Sequence, residues 1–134
     1  MNLGEVMDEI GDQLDTIAGL RVYRYPPDSV QPPAAVVTYP ESYEFDSTYN
    51  RGMDRLTLPV ILMVGKVSDR KSRDRLGAYL NGSGASSVKQ VLEAGSYTAF
   101  DTARVQAAEF DIVSMAGVEH VAATVTIDIA GQGD

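Results

Sequence analysis

The 134-residue sequence contains no cysteine and a single histidine, His120. Without cysteine the chain has no disulfide, thiolate zinc site, iron–sulfur cluster or cysteine nucleophile. One histidine excludes a metal site built from several histidines of one chain. Basic residues are also scarce, because 11 lysines and arginines stand against 19 aspartates and glutamates and leave a net charge of −8. This balance disfavours non-specific nucleic-acid binding, which depends on clustered basic side chains.

Long apolar runs are lacking as well. The longest, residues 58–64, contains Pro59 and has the length of a strand, whereas a membrane-spanning helix needs about 20 apolar residues. The first residues have neither the basic region nor the apolar segment of a secretory signal. Hydrophobic residues make up 44% of the chain, which is typical of a globular fold. We therefore expect one acidic, soluble domain over residues 1–134, made in a cytoplasm and not bound to a membrane.

The N-terminal residues 2–18 have the pattern of an amphipathic helix. Apolar side chains recur every three or four residues, at Leu3, Val6, Met7, Ile10, Leu14 and Ile17, which predicts one buried stripe. The opposite side is acidic, with Asp8, Asp12 and Asp15 and no basic residue. Gly19 is the predicted C-cap. Because acids near a helix C-terminus oppose the helix dipole, we expect packing to hold this helix and its acidic face to be a candidate surface for a basic partner.

The rest of the chain predicts short elements around a sheet. Period-two patterns and flanking prolines, glycines and serines predict strands at residues 21–25, 34–39, 55–64, 104–114 and 118–129, and helices at residues 69–80 and about 88–93. The 55–64 strand is apolar on both faces and is predicted to be central. The expected fold is α+β, with a mostly antiparallel sheet flanked by an N-terminal helix and one or two middle helices, and with a C-terminal β-hairpin.

Candidate catalytic patterns are weak. Gly65-Lys66-Val67-Ser68 follows a strand and precedes a helix, but a phosphate loop needs an earlier glycine and a Ser or Thr directly after the lysine, so we expect an ordinary turn. His120 could formally belong to a Ser-His-Asp catalytic triad, but no serine has the surroundings of a nucleophile elbow. We therefore expect a solvated or interface histidine. Four acids of the terminal strands lack calcium-loop spacing and are expected to be solvated: Glu109, Asp111, Glu119 and Asp128. We assign no catalytic, cofactor-binding or metal-ligating residue and expect a protein that is not an enzyme.

The surface pattern is more informative. The middle helix carries the basic residues Arg70, Lys71, Arg73 and Arg75, opposite in sign to the first helix. Between Pro40 and Asp54 the chain carries Tyr43, Phe45, Tyr49 and Arg51. Separated surfaces of opposite charge favour head-to-tail association, which closes into rings or grows into filaments. In such contacts charge sets the register and buried aromatics supply affinity. The alternative is that both charged faces are simply solvated.

Several segments resemble small tail-assembly proteins of long-tailed phages, especially those of actinobacterial hosts. They follow the same order over nearly the whole chain: GLRVY (19–23), PPAAVV (32–37), YNRGMDRLTLPV (49–60), VGKVSDR (64–70), SVK (87–89), YTAFD (97–101) and DIAGQG (128–133). The family resembled is the tail terminator, also called a tail-to-head joining or neck protein. The resemblance implies an α/β fold, no cofactor, and a ring, typically hexameric, at the head-proximal end of the tail tube. Such a ring ends tube polymerisation and presents a surface to the head connector.

The resemblance and the charge pattern together give three interface predictions for a virion protein assembled in the host cytoplasm. Tyr43, Phe45, Tyr49 and Arg51 are expected to contact a neighbouring subunit or the tube. The basic helix is expected to meet Asp8, Asp12 and Asp15 of a neighbour. An acidic lumen would repel DNA, which is expected only as passing cargo. The competing interpretations are another neck component (a head-completion or connector protein), a monomeric interaction module, and a small enzyme with a deep pocket.

Overall fold

A six-stranded sheet and three helices form the part of the chain described by the computed structural model, residues 1–28, 30–45, 53–68, 70–115 and 117–132. The elements follow in the order α1 (Leu3–Leu14), β1 (Arg21–Tyr23), β2 (Ala34–Val37), β3 (Ser42–Glu44), β4 (Met53–Lys66), α2 (Arg70–Tyr79), α3 (Val88–Ala94), β5 (Thr102–Met115) and β6 (Val118–Gln132). The predicted α+β class, with its helices and its C-terminal strand pair, is confirmed.

The sheet is antiparallel except at one edge. Its strand order is β1-β2-β4-β6-β5, and β3 also pairs with β4. Only β1 and β2 run parallel among the described strands. The register places Val37 opposite Val60 and Ser42 opposite Thr57, so β2 and β3 lie end to end along one side of β4. β5 is the opposite edge of the sheet.

Pro59 stands inside the central strand β4 because of the break between β2 and β3. Its carbonyl accepts hydrogen bonds from the backbone N–H of Thr38 at 3.1 Å and from the Thr38 hydroxyl at 2.8 Å. In a strand, the N–H and C=O of one residue point to the same side, so the N–H that proline lacks would point into the gap between β2 and β3. A central-strand proline is therefore tolerated at this position.

All three helices pack on one face of the sheet. The strands contribute alternate buried residues to a single apolar cluster, including Leu58 and Val60 of β4 and Ile127 of β6. α1 contributes the predicted stripe, while α2 and α3 contribute residues such as Leu76 and Leu92. Burial of each such side chain stabilises the fold by about 1.5–3 kcal/mol. The other sheet face carries mainly small or polar side chains, and Met63 on that face is buried.

α1 is shorter than the sequence pattern predicts. The helix ends at Leu14 with Asp15 as its C-cap, because the next turns tighten: the Ile17 N–H bonds the Leu14 carbonyl at 3.0 Å, and the Thr16 hydroxyl bonds the Gln13 carbonyl at 2.7 Å. Ile17 remains buried. Gly19, predicted as the C-cap, lies in the following turn with φ of 79°.

The C-terminal hairpin is longer than predicted. β5 and β6 have 14 and 15 residues, and their register runs from Thr102–Ala130 to Met115–Val118. The ladder continues beyond the alternating pattern because backbone pairing does not depend on side-chain polarity. α3 packs against β5, while most side chains of β5 in the distal half of the hairpin are exposed.

Candidate functional site

The aromatic segment after β2 combines an anchored ring with an exposed one. Tyr43 pairs with Leu56 in register and faces the helices, where its hydroxyl donates to Asp54 at 3.3 Å. The same hydroxyl accepts a hydrogen bond from the Met1 ammonium at 3.3 Å. The Phe45 ring lies 4.6 Å from the Tyr43 ring and is 74% exposed. Tyr43 thus holds the segment against the core, and Phe45 is presented to the solvent.

Two further members of the predicted aromatic surface, Tyr49 and Arg51, lie outside the described residues. Their proposed contact with a neighbour or with the tube stays a prediction.

The acidic face of α1 is partly neutralised from within the chain. Arg24, which follows β1, donates to the Asp12 carboxylate from Nε at 2.8 Å and from Nη2 at 2.6 Å. Its Nη2 also lies 3.8 Å from the Asp15 carboxylate. Among the described residues Asp8 forms no salt bridge and is exposed. Two of the three predicted acids therefore share one arginine, which the local sequence of α1 does not reveal.

Gly11 makes this contact possible. A Cβ on Gly11 would lie 2.5 Å from Cγ of Arg24, so only glycine allows the arginine stem to cross the helix on its way to Asp12. Glycine within a helix is otherwise unfavourable by about 1 kcal/mol relative to alanine. The glycine is therefore explained by the close approach of a side chain.

Glu9 of α1 holds the loop that leads into β5 through hydrogen bonds. The Glu9 carboxylate accepts from the Thr98 backbone N–H at 2.9 Å, the Thr98 hydroxyl at 2.7 Å and the Ala99 N–H at 2.7 Å. Burial by itself raises the pKa of Glu9, but these hydrogen bonds outweigh it and hold the pKa below its ordinary value. This structural role was not anticipated from the sequence, because the donors lie about 90 residues away.

The four basic residues of α2 all lie on its exposed side. Leu76 and Tyr79 are buried, as predicted, and Leu80 is half-buried. The basic residues Arg70, Lys71, Arg73 and Arg75 point away from the core. Among the described residues Arg73 pairs only with the adjacent Asp74, at 3.1 Å, and such exposed ion pairs contribute little to stability. Within the described chain Arg70 and Arg75 form no salt bridge.

An exposed apolar surface that the sequence analysis missed lies on the distal half of the hairpin. Phe110 is 69% exposed, Ile112 is 55% exposed, and Val118 near the turn is also exposed. Phe110 and Ile112 pair with Ala123 and Val121 on the helix-bearing face of the sheet, whereas Val118 lies on the other face. We name Phe110 and Ile112 the hairpin patch. The alternation of Phe110 and Ile112 with Glu109 and Asp111 has the appearance of an ordinary half-buried strand. Only the tertiary structure shows that the helices leave most of the Phe110 and Ile112 side chains uncovered.

The remaining polar residues of the hairpin differ in their surroundings. Asp128 forms a salt bridge with Arg55 of β4, so the expectation that it is solvated is wrong. Glu109, Asp111 and Glu119 are exposed, as expected. His120 is only 8% exposed, and its Nδ1 lies 3.0 Å from the Val118 carbonyl oxygen. The expectation of a solvated histidine is therefore also wrong, since its cross-strand neighbours cover the ring.

Two grooves of the described structure are lined largely by apolar side chains. One, of about 310 Å³, lies between α2, α3 and β5, and Tyr79, Val88 and Phe110 help to line it. Another, of about 340 Å³, lies between α1 and the side chains of Tyr25 and Tyr39. Over the described residues no three His, Asp or Glu side chains come together as metal ligands, and no helix is long and apolar enough to cross a membrane.

Comparison with known proteins adds no family assignment. The sequence matches no protein-family model, and it matches no curated protein at a significant level.

Proposed function

We propose that this chain is a structural virion protein that forms a ring at the head-proximal end of a phage tail, ends tail-tube polymerisation and joins the tail to the head. The observation that carries the proposal is the position of the exposed large apolar side chains. Apart from Val67 and Val118, those of the described residues fall on two separate surfaces at opposite edges of one sheet. The resemblance of the sequence segments to tail terminators supplies the biological setting.

The first surface lies at the β1 and β3 edge. Tyr25 follows β1, Tyr39 lies between β2 and β3, and Phe45 follows β3, and all three are largely exposed. We name these three residues the aromatic edge. The second surface is the hairpin patch, which lies on β5, the opposite edge strand of the sheet. Exposed apolar clusters on small proteins mark interaction sites.

Two different surfaces on opposite edges favour association in one direction. A two-fold dimer uses the same patch on both subunits, whereas contacts between unlike patches generate rings or filaments. A ring subunit also needs surfaces for a tube on one side and for a connector on the other. The net charge of −8 would repel the DNA that passes through such a ring.

The test is addition of the purified protein to tail tubes assembled in its absence, followed by electron microscopy. We expect a ring at one end of each tube and tubes that no longer lengthen when more tube protein is added. Binding to DNA-filled heads without binding to tube ends would contradict the terminator role and favour another neck component. A chain that stays monomeric and attaches to neither tubes nor heads would contradict both and favour an interaction module.

A further inference from the structure

Two exposed tyrosines and one acid of α1 line the same groove. Tyr25 follows β1, Tyr39 lies between β2 and β3, and both side chains are largely exposed. Asp8 lines the groove from α1, together with the apolar side chains of Leu3 and Met7. We name Asp8, Tyr25 and Tyr39 the tyrosine groove. It places a carboxylate and two aromatic rings around one space.

The carboxylate of Asp8 is not neutralised within the described chain. It is exposed, and among the described residues it has neither a hydrogen-bond donor nor a salt-bridge partner. Arg24 also lines the groove, but its guanidinium group is engaged by Asp12 and Asp15, which follow on the same side of α1. Three carboxylates on this side of the helix are thus accompanied by one guanidinium group, and the side keeps a negative charge.

A carboxylate beside tyrosine rings suits an arginine side chain in particular. A guanidinium group is planar and weakly hydrated, so it can stack on an aromatic face while its N–H groups donate to a carboxylate. The ammonium group of lysine is a strongly hydrated point charge and gains less from such a site. The occupant expected in the tyrosine groove is therefore an arginine that has no carboxylate of its own.

α2 carries such an arginine on the helix-bearing face of the sheet. Arg75 is exposed and forms no salt bridge within the described residues. It lies one turn before Tyr79: burial raises the pKa of Tyr79, and the positive charge of Arg75 opposes this rise. Tyr79 in turn lines a groove with Phe110 of the hairpin patch. No residue of α2 is among the described residues that line the tyrosine groove, so an arginine of α2 must reach this groove from another molecule.

We infer that Arg75 from a second copy of this chain inserts into the tyrosine groove, with its guanidinium group against the tyrosine rings and paired with Asp8. This inference rests on the proposed ring and names a contact between its subunits. Each copy gives an arginine to one neighbour and receives one from the other, as head-to-tail closure requires. Of the three acids predicted for this contact, Asp8 is the one that Arg24 leaves unpaired.

The test compares charge reversals in the full chain with matched controls. The test variants are D8K and R75E. E5K is the control for D8K, because Glu5 is an exposed acid of α1 that lines a different groove. R70E is the control for R75E, because five residues advance a helix by about 140° and place Arg70 on another side of α2. Self-association is measured by sedimentation velocity over a concentration series, with tail tubes added in parallel, and circular dichroism checks that each variant is folded.

We expect D8K and R75E each to associate about tenfold or more weakly than the wild type, since like charges then face each other. The two controls should associate like the wild type, although they change the net charge by the same amounts. The double variant D8K/R75E should recover most of the association, because the reversed groove then meets a reversed helix. Misfolding cannot produce this recovery.

The aromatic part of the groove is tested at Tyr39. Tyr39→Ala should weaken association, whereas Tyr39→Phe should leave it unchanged, because phenylalanine keeps the aromatic face on which the guanidinium group stacks. Association of Tyr39→Ala at the wild-type strength would contradict the stacking of Arg75 in this groove.

Three further outcomes overturn the inference while the ring stands: unchanged association of D8K or R75E, a loss that D8K/R75E does not recover, or an equal loss in the matched control. A wild-type chain that assembles neither alone nor on tail tubes would overturn the inference and the proposed function together.

Discussion

Gly65, near the end of β4, lies so close to Ser72 of α2 that a Cβ on the glycine would overlap the Ser72 hydroxyl oxygen. Ser72 is buried at the base of α2, so this pair fixes the distance at which the basic helix sits on the sheet. The glycine belongs to the segment that superficially resembles a phosphate loop. Its role in the structure is close packing between a strand and a helix.

Replacing Gly65 with alanine is expected to lower the free energy of unfolding by about 1–3 kcal/mol, because an added methyl group in a close-packed site forces the helix to move. The double variant G65A/S72A should recover most of this loss, since the Cβ of Ser72 would lie at an ordinary 3.5 Å from the new methyl group. Urea denaturation of G65A, S72A and G65A/S72A completes a double-mutant cycle, which gives the coupling energy between the two positions. Additive effects in this cycle would show that the two residues do not constrain each other.

Gly11→Ala is expected to give none of the stabilisation that alanine usually brings to a helix. The new methyl group would displace the Arg24 stem and with it the salt bridge to Asp12. Gly77→Ala in α2 is the matched control, because nothing lies within 4 Å of its Cβ position, and it should stabilise the protein by about 0.5–1 kcal/mol. Thermal denaturation compares the two. Equal gains would mean that Arg24 moves aside without consequence.

Glu9→Ala is expected to destabilise the protein by about 1–3 kcal/mol, because the N–H groups of Thr98 and Ala99 lose their acceptor. Glu5→Ala on the same helix is the control, since the Glu5 carboxylate has no hydrogen-bond donor among the described residues. Hydrogen exchange at Thr98 and Ala99 should accelerate in the Glu9 variant alone. Unchanged hydrogen exchange at Thr98 and Ala99 in the Glu9 variant would contradict the role of Glu9 in holding this loop.

The free energy of unfolding should decrease in acid because the carboxylates of Glu9 and Glu93 become protonated. The pKa of Glu9 lies below 4.5, because hydrogen bonds from Thr98 and Ala99 outweigh the opposing effect of burial. The pKa of Glu93 is also lowered, chiefly by its hydrogen bond from Lys89. A carboxyl whose pKa is lower in the folded state stabilises the fold above its unfolded pKa, and this contribution is lost as the pH falls through the folded value. The free energy of unfolding should therefore decrease below about pH 4.5, and less steeply in Glu9→Gln. An identical slope in wild type and variant would contradict the assignment.

The sequence pattern was sufficient for the class of fold and for most of its elements. The stripe through Val6, Ile10 and Leu14 identifies α1, and the even-numbered apolar residues of β4 identify a central strand. Ser87 and Gly95 bound α3 as N-cap and C-cap. Boundaries were less well predicted, since the end of α1 depends on the turn bonds of Thr16 and Ile17 rather than on periodicity.

The candidate interaction surfaces were predicted less completely. The basic residues of α2 were located from local spacing alone, because a charged stripe on a helix faces away from its buried side. The hairpin patch was missed, since Phe110 and Ile112 have the spacing of core residues. Their exposure depends on where α2 and α3 end above the sheet, and no local pattern contains that information.

The sequence by itself determined which residues are apolar, which helix is basic and that no lysine or arginine follows Arg104, because these are properties of composition and period. Tertiary structure alone decided which charges are already neutralised and which apolar side chains remain exposed. Arg24 reaches Asp12 across α1, Glu9 holds a loop 90 residues away, and Phe110 stays exposed beside α2 and α3. Each of these contacts or exposures follows from chain segments that are distant in sequence, and only packing brings such segments together or holds them apart.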